Sequence, residues 1–500
     1  MKHFLILFYA WLLQNLTKLI MISEITICLR FLKGFNNLRN FNASAKAYSE
    51  FVKAKRNVPA YIEFLISKNF SKPTFKGFIP NMNEIPETNK ENYVKIFSMN
   101  QRCVNGKTPT KGVVIDESSG SSGTATNWAR GLKERKMNAK MIQFGLKNLI
   151  GNEPLFIINA FALGPWATGV NITMSCVGIS KLKSIGPDKI KIENTIKAFG
   201  RDHKYVILGY PPFLKMLVDH SEIDWKSHDV SFIFGGESMS EGMRTYLTTK
   251  GIKKIYSSFG ASDIELNISA ENDFTISLRK LLNENEALCN KILKYSGALP
   301  MVFQYNPADF LIETSENGEL IITVCRPDYI VPKIRYNIHD KGQIMQKKEV
   351  FKILKDLKLD KNLLVESKTD LPILFHYGRA DMTVSFFGSN INQADVQETI
   401  YNLPQLAEAI NSFCITTNED LEGNKQLKIS LELNQFANLT SFDSDVLSTD
   451  FINELAKVNQ DFREVQKMLT NKNQIIICFF EFGKGPFENN DIRIKAKYIC

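Results

Sequence analysis

The sequence predicts an α/β protein with a large N-terminal domain, its mostly parallel sheets flanked by helices, followed by a small α+β C-terminal domain. Three observations carry that prediction. Between about residue 110 and 260, short β-rich runs alternate with helix-length segments; turns of small residues follow three of those runs; and beyond Gly378 the pattern changes to strands grouped with one long helix.

The alternation reads in order as "GVVIDE", a helix over 132–150, "LFIINAF", a helix over 187–199, "YVILGY", a helix over 212–220, "VSFIFGG", a helix over 239–250 and "KKIYSSF". Such a rhythm is the signature of βαβ units, whose ligands bind beyond the carboxyl ends of the strands. The tract "ESSGSSGTATNWARG" follows the first strand and precedes the first of these helices. By composition alone it would be a flexible linker. However, "FGGES" at 234–238 and "SFGASD" at 258–263 are small-residue turns after two further strands, so all three would face one crevice. The alternative for each turn is a corner where glycine only supplies a positive φ.

Farther on, "IITVCRPDYIVPKIRYNIHDKGQI" reads as two strands around a polar turn, with Arg335 and Asp340 at the end of the second. "LFHYGRADMTVSFFGSNINQADVQETI" is a glycine-bounded crossing from strand to strand to helix. "FCITTN", "LKISLELN", a helix over about 446–469 and "QIIICFFEF" complete a small α+β unit. The expected divisions are an apolar N-terminal segment (1–40), a large domain (41–377) and the C-terminal domain (378–500).

A chain of 500 residues, 44% hydrophobic and 23% charged, is expected to be soluble and globular. Its net charge of +9 is spread along the chain, with no run of lysine and arginine interleaved with aromatics, so nucleic acid is not the expected partner and an anionic small ligand suits it. Cys28, Cys103, Cys176, Cys289, Cys325, Cys414, Cys478 and Cys500 stand far apart, which predicts reduced thiols in a cytoplasmic protein and no structural zinc. The N-terminal "MKHFLILFYAWLLQ" resembles the front of a signal peptide, but no small-x-small cleavage site follows, and Gln14, Asn15, Thr17 and Lys18 interrupt the apolar run. An amphipathic first helix, or an upstream start codon with Met21 as the true beginning, is favoured over membrane contact.

Together these pieces resemble the adenylate-forming enzymes, the superfamily of acyl-CoA synthetases and adenylation domains, and within it the phenylacetate-CoA ligase branch. "SSGSSGT" at 118–124 matches the family's phosphate loop, "GGE" at 235–237 and "FGASD" at 259–263 its adenine-side turns, "PKIRYNIHD" at 332–340 the segment ending in the ribose-binding aspartate, and "GRADMTVSFFGSNI" at 378–391 the hinge and first strand of its mobile lid. The resemblance implies ATP-dependent activation of a small carboxylic acid to an acyl-AMP, then transfer to coenzyme A, with Mg2+ beside the phosphates. The alternatives are transfer to a carrier-protein thiol in trans or to an amine, and a catalytically degenerate nucleotide-binding relative.

Residue by residue, the resemblance implies a phosphate loop of Ser118, Ser119, Gly120, Ser121, Ser122, Gly123 and Thr124, where backbone N–H groups and hydroxyls converge on anionic oxygens. Thr126 stands where many relatives carry lysine. Gly235, Gly236, Glu237, Phe259 and Gly260 would flank adenine, and Asp340 would accept the ribose hydroxyls. Asp263 would hold magnesium, with Glu265 as a substitute; the alternative for Asp263 is a helix N-cap. Arg379 would contact phosphate or ribose, and Asp381 would be the hinge, with Met382 replacing a second aspartate. Lys495, or else Lys497, would neutralise charge in adenylate formation. Phe161, Trp166 and Gly169 would line the acid pocket, against the plain alternative of core packing. None of the six histidines shows a nucleophile–base spacing.

Overall fold

The computed structural model describes residues 1–500 other than 22, 118–125, 165–166, 296–298, 361–368, 380–382, 387–388, 420–424, 438–442, 460–461, 464, 467–473 and 489–500. The fold is α/β, as the sequence predicts, and the chain divides into two compact units. One comprises Met1–Gly186, Tyr256–Leu281 and Val302–His376; the other comprises Pro187–Ile255, Leu282–Met301 and Tyr377–Cys500.

Strands lying mainly in the first unit follow one another in a sheet in the order Phe310–Thr314, Glu319–Val324, Tyr336–Met345, Ile373–Arg379, Met301–Tyr305, Glu265–Ala270, Lys254–Ala261. The runs "ELIITV" and "MVFQY" are buried almost end to end, as expected of β-rich strands covered on both faces. Several neighbours here are antiparallel: Glu265–Ala270 pairs antiparallel with both of its partners. The parallel rhythm holds for Leu155–Asn159 and Ser180–Ser184, joined through the helix Ala167–Cys176, an element not expected from the sequence. The helix Leu132–Leu149 buries Arg135, Asn138, Ile142 and Leu146, three or four residues apart and therefore on one face.

The Ser/Gly tract departs from the expected strand–loop–helix order. Val113–Glu117 pairs antiparallel with Asn127–Gly131, setting Asp116 opposite Trp128, so residues 118–125 connect two arms of a β-hairpin and the helix starts only at Leu132. The second arm, "NWARG", carries a buried arginine instead of alternating aliphatics, which is why hydrophobic periodicity does not reveal it.

In the second unit, Lys204–Gly209 and Asp229–Phe234 run parallel in register from Lys204 opposite Asp229 to Gly209 opposite Phe234. The helices Lys189–Phe199, Pro211–His220 and Glu241–Thr249 lie where the sequence sets them. Ile410–Glu419 and Lys425–Leu433 are antiparallel, and Ile475–Phe480 joins the latter in parallel. Their inward residues, among them Phe413, Ile429 and Leu431, form a core with Phe451 and Leu455 of the helix Ser444–Val458, which is shorter than expected. In the same unit, the Ser240 N–H donates to Gln397 Oε1 at 3.2 Å, so the segment entering Glu241–Thr249 meets the helix Gln393–Asn402.

One cysteine expectation is corrected. Cys28, Cys103, Cys176, Cys289, Cys325 and Cys478 are free, but Cys414 is disulfide-bonded. Sequence spacing does not reveal which thiols the fold brings within bonding distance.

Glu134 fixes the corner between the hairpin and its helix. Its carboxylate accepts from the Gly131 N–H at 2.7 Å and the Ile330 N–H at 3.3 Å while only 2% exposed. Burial pushes its carboxyl up to about 7 from an ordinary 4.5, against the pull of Arg130. A raised folded-state value means that the native state holds the proton more tightly than the unfolded chain. The resulting stability is complete below the ordinary value and is lost as pH rises through about 7. Glu134→Gln should therefore gain on the wild type between about pH 5 and pH 8, by up to about 3 kcal/mol, in urea unfolding at the two pH values.

Candidate functional site

In the first unit, the turn between Lys254–Ala261 and Glu265–Ala270 is held by a single side chain from the hairpin. Arg130, on the arm after the Ser/Gly tract, donates through Nη1 to the Ile264 carbonyl at 2.8 Å and through Nη2 to the Ser262 carbonyl. Its Nε donates to Asp116 Oδ2 at 3.0 Å on the opposite arm. Asp116 Oδ1 in turn accepts from Arg135 at 2.5 Å. The base of the hairpin is thus tied to the turn that carries Asp263.

Asp263 accepts from Trp128 Nε1 at 3.2 Å and from the Tyr336 hydroxyl at 2.9 Å. Burial and the neighbouring carboxylate push the Tyr336 phenol well above its ordinary value, so the hydroxyl stays the donor. Trp128 and Tyr336 meet edge to face at 6.1 Å. Two basic groups flank the indole: Lys333 Nζ lies 3.1 Å and the Arg102 guanidinium 5.1 Å from its ring centroid. Burial, with Arg130 and Arg102 nearby, draws the Lys333 ammonium well below the ordinary lysine value. Arg102 Nε and Nη1 are buried and have no hydrogen-bond partner among the described residues. Asp263 is therefore a turn carboxylate in a cationic surround and caps no helix.

Glu265 is committed elsewhere. It is 2% exposed and accepts from Tyr329 at 2.6 Å and Asn138 at 3.2 Å.

A second cluster in this unit unites two residues singled out from the sequence through one that was not. Asp340, within the strand Tyr336–Met345 and not at its end, takes His376 Nε2 at Oδ2, 2.9 Å away. The His376 ring lies 4.4 Å from that of Phe259, and Phe303 stacks on Phe259 at 5.9 Å. His376 belongs to "LFHYGR"; its pairing with Asp340 spans a sheet neighbour, and no linear spacing reveals it. Gly260 presses against backbone: an added Cβ would meet Leu266 Cα at 2.9 Å. Arg335 is structural. With φ +43, it donates to Glu313 at 3.1 Å and to the carbonyls of Asn83 and Ile85.

Phe161 is buried at 3%, and Gly169 lies where the helix Ala167–Cys176 crosses residue 162, an added Cβ standing 2.2 Å from the Ala162 carbonyl oxygen. A cavity of about 540 Å3 in this unit, between Phe31, Phe144, Phe274 and Arg326, is lined by none of Phe161, Gly169, Phe259, Asp263 or Asp340.

In the second unit, Gly235 and Gly236 follow Asp229–Phe234 at the carboxyl end of the parallel pair, with Glu237 next. Gly236 has φ +81, and an added Cβ would stand 2.7 Å from Tyr210 Cε1; Tyr210 follows the neighbouring parallel strand. The ring and the glycine turn thus lie together at the strand ends, and Tyr210 was legible only as the last residue of "YVILGY". Arg379, half-buried, ends the strand Ile373–Arg379. Ser118, Ser119, Gly120, Ser121, Ser122, Gly123, Thr124, Trp166, Asp381, Met382, Lys495 and Lys497 lie outside the described residues.

Solved structures of 2-hydroxyisobutyryl-CoA ligase share this fold. The crystal structure in the postadenylation state in complex with R3-HIB-AMP has a TM-score of 0.66 at 11% identity, covering 94% of this chain and 91% of that one. The complex with 2-HIB-AMP in the same state gives 0.66, 11%, 94% and 90%. The complex with 2-HIB-AMP and CoA in the thioesterification state gives 0.55, 10%, 94% and 91%. The chain thus shares the fold of 2-hydroxyisobutyryl-CoA ligase. No protein-family model and no curated protein matches the sequence.

Gly236→Ala should destabilise the protein by about 1–3 kcal/mol in urea unfolding, combining left-handed strain with displacement of the Tyr210 ring. Adding Tyr210→Ala should recover the steric part only, giving a non-additive double-mutant cycle.

Proposed function

We propose that the protein is an AMP-forming acid–thiol ligase of the adenylate-forming superfamily, akin to the phenylacetate-CoA ligase branch, which activates a small carboxylic acid with ATP and transfers the acyl group to coenzyme A. The observation that carries this reading is the grouping of Asp340, His376 and Phe259 on one sheet of this fold, in the same unit as a hairpin base with buried, under-partnered cations. The neighbouring ligase structures hold HIB-AMP, and two of them CoA as well, which supports the same reaction class here.

The residues fit a nucleotide. Phe259 sets an aromatic ring beside His376, and Asp340, steadied through Oδ2 by His376, is an acceptor suited to a ribose diol. Arg102 retains two buried N–H groups with no described acceptor beside the arms of the 118–125 loop, where polyphosphate oxygens would supply them. Asp263 is the carboxylate for magnesium: both of its described partners are neutral donors, and among the described residues no ion pair reaches it. When bound, the ion would neutralise phosphate charge.

In the first half-reaction a carboxylate oxygen attacks the α-phosphorus, and the bond to the β,γ-pyrophosphate breaks. In the second, a thiolate attacks the acyl carbon and AMP leaves with the bonding pair. Lys495, with Lys497 as the second choice, is assigned to the first step, and Asp381 to the rotation between steps.

The test is ATP–pyrophosphate exchange with a panel of carboxylic acids, followed by thioester formation with CoA. Acid-dependent exchange is expected, and its absence across the panel in a protein that still binds ATP would leave a non-catalytic nucleotide-binding relative. Asp340→Ala should raise the apparent KM for ATP by about tenfold or more, the scale of losing one charged hydrogen-bonding partner. Lys495→Ala should depress exchange far more than acyl transfer from a preformed adenylate; equal loss in both would remove that lysine from its role.

A further inference from the structure

The helix Lys2–Ile20 is built inside out. The face it turns to the protein carries Gln14 and Thr17 beside Ile6 and Ala10. That face is fastened by polar contacts: Gln14 Nε2 donates to Glu50 Oε1 at 2.7 Å, Lys53 Nζ to Gln14 Oε1 at 3.0 Å, Lys46 Nζ to Thr17 Oγ1 at 3.2 Å, and the Tyr9 hydroxyl to Asn42 Oδ1 at 2.7 Å. The opposite face is open to solvent and apolar apart from Asn15, whose side-chain amide donates to the Trp11 carbonyl at 3.0 Å. Phe4 is 74% exposed, Phe8 54%, Trp11 56% and Leu19 61%, with Leu12 and Leu16 between them. Those positions lie on one side of the helix and so form one stripe, about 22 Å long at 1.5 Å per residue.

A stripe of this size on a folded surface marks an interaction site. The helix is long and apolar enough to cross a bilayer, but crossing would strip Gln14, Thr17 and Tyr9 from Glu50, Lys46 and Asn42. Lying flat keeps every one of those bonds and turns only the apolar stripe towards lipid. The charges select the occupant. The helix has no acidic residue and carries Lys2 at its first position and Lys18 in its last turn, where Lys18 also reaches Asp328 at 3.5 Å. A second copy laid against the stripe would set these lysines against one another in either direction, whereas anionic headgroups pair with them. Trp11, apolar with one N–H donor, suits the headgroup boundary.

We propose that residues 2–20 form an in-plane helix that seats the protein on an anionic phospholipid bilayer, apolar stripe inward. This reverses the preference drawn from the sequence, which counted Gln14, Asn15, Thr17 and Lys18 as interruptions of the apolar run; the fold spends Gln14 and Thr17 on the protein side. The proposal is independent of the ligase reading.

The test is co-sedimentation of the full chain with vesicles of phosphatidylcholine containing phosphatidylserine. The wild type should pellet with the vesicles. Phe8→Ser combined with Trp11→Ser should lower partitioning by about tenfold or more, from the apolar area withdrawn from lipid. Val177→Ser, at an apolar position 66% exposed elsewhere in the same unit, should leave it unchanged. Wild-type protein that stays in the supernatant, or a double variant that partitions like the wild type, overturns the proposal. So does a vesicle-free dimer that the double variant converts to monomer while vesicles bind neither protein. A large drop in the melting temperature of the double variant would overturn the premise that these rings are free of the protein's own packing.

Discussion

A buried guanidinium must be paired, and Arg130 meets that demand in a way that organises the first unit. Only 4% exposed, it has one carboxylate, Asp116, and two backbone carbonyls, those of Ser262 and Ile264. Leaving such a charge unpaired would cost several kcal/mol, so the hairpin and the Asp263 turn cannot drift apart without exposing it. The position of Asp263, its two neutral donors and the cation-flanked indole of Trp128 all follow from that tether.

The same chemistry explains what was legible in the sequence. Aliphatic runs such as "ELIITV" and "YVILG" announce their strands because burial alone dictates them. "NWARG" does not, because its place is dictated by a charge pair fourteen residues apart in sequence, Asp116 with Arg130. Phe259 and Asp340 could be named from their motifs, but the histidine between them could not, since His376 reaches Asp340 across the sheet. Arg102 and Lys333 were invisible as a pair for the same reason: one precedes the hairpin, the other follows it by some two hundred residues, and only the Trp128 ring brings them together.

Small residues serve two different ends in this chain. At Gly236 the missing side chain makes room for an aromatic ring at the end of a parallel strand pair; at Gly169 it lets a helix rest on the backbone of residue 162. Both read alike in the sequence, as glycine beside aromatics, and only the neighbouring atoms distinguish a turn from a packing contact.

The two compact units are each assembled from three separated stretches of chain. During synthesis the first can close once His376 has left the ribosome. The second is complete only after strands such as Ile410–Glu419 and Lys425–Leu433 are made. That order makes the last stretch to be synthesised the one that decides when the second unit can close.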